Sequence, residues 1–130
     1  MKRNVIKFLL AAFAYSSTIL VAQAALISNL KIIGVPASSS TSHPMEYIND
    51  NNITNYYKGN KNSFCWIGYD MKEKYVITQI SYACPKGYAE KMQLGIFEGA
   101  NKPDFSDAIP IHIIKDQPTE EKLILARVKC

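Results

Sequence analysis

The chain has 130 residues, of which 48% are hydrophobic, 20% charged and 11% aromatic. That balance suits one globular domain and excludes a disordered tail, which is poor in aromatics and rich in charge; 6 Gly and 6 Pro without a strict period exclude a collagen-like or low-complexity chain as well. Of the 15 basic residues, three (Lys2, Arg3 and Lys7) crowd the start, which leaves 12 against 11 acidic ones, and a body so close to neutral lacks the basic footprint of a nucleic-acid binder.

Met1 to Ala24 reads as a secretory signal peptide. A basic start is followed by an apolar stretch from Phe8 to Val21, then by Ala22-Gln23-Ala24, the small-x-small pattern a signal peptidase accepts. The apolar run is broken by Ser16-Ser17-Thr18 and is short beside the about 20 residues of a membrane span. The expected mature domain is Ala25 to Cys130, a secreted protein. Export permits disulfides. The three cysteines, Cys65, Cys84 and Cys130, fit no zinc spacing, so the expectation is one structural disulfide or three buried thiols.

In chain order, Leu30 to Val35 is an apolar run closed by Pro36, and Ala37 to His43 is a small polar loop. Met45 to Tyr57 contains Asn49-Asp50-Asn51-Asn52, which is turn chemistry. Phe64 to Tyr69, centred on Trp66, predicts a strand, and Asp70 to Lys74 a connection. Tyr75 to Ala83 predicts the best strand, with Val76, Ile80 and Tyr82 on one parity and Ile77 on the other. Pro85-Lys86-Gly87 predicts a turn. Met92 to Glu98 alternates Met92, Leu94 and Ile96 against Gln93, Gly95 and Phe97, and Ile109 to Ile114 and Leu123 to Val128 predict two further strands. Roughly six to eight short strands separated by turn signals predict an all-β antiparallel sandwich. Trp66, Ile77, Ile80, Met92 and Phe97 are its expected core.

The order of several short motifs resembles the coagulation factor V/VIII C-type (discoidin) domain, within the galactose-binding-like superfamily. The pieces are Ser38-Ser39-Ser40 with His43-Pro44, the turn from Asn49 to Thr54, Trp66-Ile67-Gly68-Tyr69-Asp70, and Lys74 to Ile80. Then follow Pro85-Lys86-Gly87-Tyr88, Lys91-Met92 with Gly95 to Glu98, and Gly99-Ala100-Asn101 with Asp104 to Ala108. The resemblance covers Ser38 to Ala108. It implies a jelly-roll sandwich. The family's closing segment has no counterpart after Leu123 to Cys130, which implies a missing last strand and a sheet edge open to self-association. It also implies a structural Ca²⁺ at the turn, on Asn49, Asn51 and Thr54; Asn49 stands where the family has a carboxylate, which weakens such a site.

No constellation of nucleophile, base and metal is visible around His43 or His112, so catalysis is not expected. Relatives of this sandwich use loops at one end to recognise sugars or phospholipid surfaces. Sugar recognition requires an aromatic face and polar side chains for the hydroxyls. The expected ligand-binding residues are Tyr57 and Lys58, followed by Tyr88 and Lys86. Tyr56 is the third aromatic candidate, but the family places an aromatic in the core just after the turn's Thr, so Tyr56 is expected to be more buried than Tyr57. The expected partner is a glycan or cell-surface ligand. A phospholipid or cell-surface adhesion module is the alternative, disfavoured by the near-neutral charge, and a structural secreted protein or truncated fragment without a small ligand is another. Asn52-Ile53-Thr54 is also an N-glycosylation sequon.

Overall fold

The computed structural model describes residues 13–15, 24–26, 30–35, 43–59 and 65–128. Strand β1 (Phe13–Tyr15) pairs antiparallel with β2 (Ala24–Leu26), and with no other described strand. Strand β3 (Lys31–Gly34) pairs antiparallel with β4 (Ile67–Asp70), placing Ile32 opposite Tyr69. Strand β5 (Gln79–Ala83) pairs with β8 (Leu123–Arg127), and β6 (Ile96–Gly99) with β7 (Ile109–Ile113), both antiparallel. A 3₁₀ helix (Met45–Asn49) and one α-turn, α1 (Ala89–Met92), complete the described elements.

The antiparallel β-sandwich expected from the sequence is the fold observed. Its core joins Ile67, Tyr69 and Met71 with Ile80 and Tyr82, and adds Ile48, Phe97 and Ile114. Every residue of β4 is buried, because its side chains meet packing partners on both faces. Phe97 and Tyr69 are essentially inaccessible; burying each such ring contributes about 2–3 kcal/mol of transfer free energy. Tyr82 and Phe97 pack at 5.4 Å between ring centroids.

Gly34 shows why β3 and β4 pack so closely. Its φ is +154°, and a Cβ there would stand 2.6 Å from the Trp66 carbonyl oxygen and 2.8 Å from the Ile67 Cα. Only glycine allows this approach, which the hydrogen bond from Val35 N–H to the Trp66 carbonyl extends by one residue.

Several local expectations are corrected. The predicted strand at Tyr75 begins only at Gln79, and Val76 is 61% exposed. The predicted strand from Met92 is replaced by the end of α1 and a turn at Leu94, whose φ is +64°. Leu94 is turned outward there because its N–H already reaches the Ile114 carbonyl, while Ile114 N–H returns to Gly95. Phe97, on the other parity, fills the core. Trp66 is half-buried rather than central: it precedes β4 and meets Phe105 edge-on at 4.9 Å, while Tyr69 takes the central place. Cys65 is exposed and Cys84 buried, so three buried thiols are excluded. Cys130 lies outside the described residues, as do Pro36 to Ser42 and Asn60 to Phe64.

Candidate functional site

Two loops make the site. The first leaves the 3₁₀ helix through a turn knitted by its own side chains. Asp50 Oδ1 accepts from Asn52 N–H at 2.8 Å, and Asp50 Oδ2 accepts from the Asn55 amide at 2.6 Å. Asn52 Oδ1 accepts from both the N–H and the hydroxyl of Thr54, at 3.0 and 2.7 Å. Asn51 takes the left-handed backbone (φ +60°) that Asn tolerates better than most residues. The turn delivers Asn55 to Lys58 to the site. Gly59 closes the segment: a Cβ there would stand 2.5 Å from Cys65 Sγ and 2.8 Å from the Tyr57 hydroxyl.

The second loop runs from Cys84 to α1. Gly87 (φ +79°) turns the chain, and its N–H donates to Glu120 Oε1 at 2.8 Å. Glu121 N–H donates to the Cys84 carbonyl, so the segment before β8 holds this loop from a distance in sequence. Tyr88 follows directly and is thereby fixed in position.

The loops meet through three rings. Tyr56 stacks on His43 at 4.0 Å and 22°, and leans on Tyr88 at 4.7 Å and 43°. The Tyr56 and Tyr88 hydroxyls are hydrogen-bonded at 2.9 Å. Lys91 Nζ lies 5.0 Å from the centre of the Tyr88 ring, within cation–π range. Between the loops lies a pocket of about 370 Å³, lined by Asn55, Tyr56, Lys58, Trp66, Tyr88 and Lys91 among others. The hydrogen bond shared with Tyr56 pulls the Tyr88 hydroxyl below the usual phenol range, desolvation opposes it, and the charges of Lys58 and Lys91 add smaller lowering effects. Tyr56 is raised in return, first by that hydrogen bond and then by burial.

Of the residues expected from the sequence, Tyr57, Lys58 and Tyr88 come together around this pocket. Lys86 is exposed on the neighbouring turn and does not line it. Asn49, Asn51 and Thr54 lie in or beside the turn. Its one carboxylate, Asp50, has both oxygens engaged by the turn, so the donors on offer to Ca²⁺ are amides, a hydroxyl and carbonyls, a set short of negative charge. The two neighbouring tyrosines exchange their expected places. Tyr57 packs against the core and donates to the Val35 carbonyl, whereas Tyr56 stands in the aromatic stack. Asn55, a polar neighbour of the expected tyrosines, joins the pocket, as do Trp66, expected in the core, and Lys91, which was not singled out. Adjacent positions in an irregular loop have no period to assign their sides, and Lys91 reaches Tyr88 only because α1 forms a turn.

A second, larger hollow of about 840 Å³ lies between β7 and β8, along Ile111, Ile113, Leu123 and Leu125. Among the described residues, no group of three or more His, Cys, Asp and Glu side chains is placed to hold a metal ion.

Antiparallel strand pairs around an aromatic core, with a concave aromatic site between loops, make an antiparallel β-sandwich with a candidate site at its loops. No family model and no curated protein matches the chain. Among solved structures it is similar to the CBM62 of Xyl5A from Clostridium thermocellum, with a TM-score of 0.73 and 32% identity, covering 78% of this chain and 76% of that one. The chain belongs to the CBM62 family. That neighbour is a carbohydrate-binding module, a non-catalytic kind of domain. It supports the superfamily read from the motif order, without singling out the discoidin branch.

Proposed function

We propose that this chain is a secreted, non-catalytic carbohydrate-binding module whose ligand occupies the pocket between the Asn55–Lys58 segment and the Tyr88 loop. The observation that carries this reading is the Tyr56–Tyr88 pair beside Asn55 and Lys58 in a concave site, within a chain of the CBM62 family. An aromatic surface packs on the apolar face of a sugar ring, while the amide of Asn55, the ammonium of Lys58 and the phenol hydroxyls address its hydroxyl groups. Both tyrosines are locked to each other before any ligand arrives, which reduces the ordering cost of binding. The discoidin-like motif order and the leader through Ala24 support an extracellular, surface-recognising role. A glycan array probed with the chain tests the reading: saccharide signals support it, and an array without any overturns it.

A second proposal concerns self-association. Among the described strands, β7 pairs only with β6 and β8 only with β5. The hollow between them carries the exposed side chains of Leu123 (50%) and Leu125 (60%). A second copy adding a strand there would cover apolar surface and satisfy edge backbone groups at once.

A further inference from the structure

We propose that the ligand of the Tyr56–Tyr88 pocket is an acidic saccharide, one whose carboxylate or sulfate is held between Lys58 and Lys91. This rests on the carbohydrate-binding reading above and adds the charge class of the sugar.

Among the described residues, the charged side chains lining the pocket are Lys58 and Lys91, and no carboxylate lines it. Lys58 comes from the first loop and Lys91 from α1, where its Nζ lies 5.0 Å from the centre of the Tyr88 ring, and both line the same pocket. The carboxylates that brace these two loops are engaged elsewhere. Asp50 folds both oxygens into its own turn, and Glu120 accepts from the N–H groups of Gly87 and Ala89. Glu46 and Glu90 are exposed and do not line the pocket. The sequence flanking the site continues the pattern, since residues 36–42 and 60–64 contain no Asp or Glu, and the latter contain Lys61.

This local excess is not inherited from the whole chain, where basic and acidic residues beyond the leader nearly balance. A neutral sugar requires no such field. An anionic group between two ammoniums gains charge-assisted hydrogen bonds, which at exposed lysines are weakened by salt. Lys91 rests on the Tyr88 ring, a modest attraction at an exposed site, so it is free to turn to an anion while its stem stays packed.

The test uses the full chain on an array that pairs acidic glycans with neutral counterparts, including uronates against their methyl esters and sulfated against unsulfated sugars. For the strongest hits, affinity is then measured by calorimetry. Expected is a preference of about tenfold or more for the charged form, which weakens as salt is raised and falls to about twofold or less in a Lys58→Gln, Lys91→Gln variant. Uronate and sulfate arms separate the two sources of charge. Neutral sugars bound as tightly as acidic ones would overturn this inference and leave the carbohydrate-binding reading standing. A preference unchanged in the double variant would overturn the assignment to these lysines. No saccharide bound at all would overturn both.

Discussion

The hydroxyls of Tyr56 and Tyr88 meet at 2.9 Å although 32 positions separate them in the chain. This contact ties the loop after the 3₁₀ helix to the loop before α1, so the two sides of the pocket are set against each other. It also divides the two phenols: Tyr88 is pulled below the ordinary value of 10.0, first by this hydrogen bond, and Tyr56 is pushed above it.

Removing the Tyr56 hydroxyl therefore raises the Tyr88 titration. An ultraviolet titration of the wild type is expected to show an early tyrosine that loses its lead in Tyr56→Phe. An unchanged alkaline profile in that variant would contradict the pairing.

His112 faces the rings of Tyr82 and Phe97, each at 5.9 Å, and its Nε2 is buried without a hydrogen-bond partner. Burial lowers its titration from the ordinary 6.5. The unfolded chain then binds a proton that the folded chain resists, so stability is present above pH 6.5 and declines as pH falls from 6.5 toward the lowered folded value. His112→Phe removes both the unpartnered nitrogen and this decline. Urea melts at pH 7.5 and 5.5 are expected to show a variant more stable by about 1 kcal/mol at the higher pH, with a larger gap at the lower one. A variant less stable at both would contradict the assignment.

For the Asn49–Thr54 turn we propose that shape comes from the side-chain hydrogen bonds of Asp50 and Asn52, with calcium a minor contributor. The thermal midpoint is then insensitive to chelation, whereas Asp50→Ala lowers stability by about 1 kcal/mol through loss of two hydrogen bonds. A midpoint that climbs by several degrees on adding Ca²⁺ would show that the turn holds the ion.

The hollow between β7 and β8 leads to a concentration-dependent dimer. Light scattering is expected to show it in the wild type, and Leu125→Glu to dissolve it by placing a charge on the apolar edge. A monomer at every concentration would end the self-association proposal.

Much of the sandwich was legible because runs rich in Ile and Leu bounded by turn residues report on strands, whether buried or half-exposed. Ile32 and Ile33, Ile80, and the Ile109–Ile113 and Leu123–Arg127 segments all lie where their patterns put them. Alternation failed at Met92 to Ile96 because a single α-turn and a left-handed Leu94 interrupt the strand period, and neither leaves a compositional mark. The site was partly legible. Tyr57, Lys58 and Tyr88, chosen by residue type because aromatics beside amides and lysines in loops suit a sugar, all line the candidate pocket. The exchange of Tyr56 with Tyr57 is tertiary: Tyr57 reaches the Val35 carbonyl, and this turns its neighbour toward His43 and Tyr88. The capture of the Tyr88 loop by Glu120 is equally long-range and follows no local pattern.

The most direct test compares saccharide binding by the wild type and by Tyr88→Ala, using calorimetry on the best array hit and circular dichroism to check the fold. Loss of Tyr88 removes a packing surface and the hydrogen bond that fixes Tyr56, so affinity is expected to fall by about tenfold or more with the β spectrum retained. A folded Tyr88→Ala chain that binds its sugar as tightly as the wild type would contradict the account.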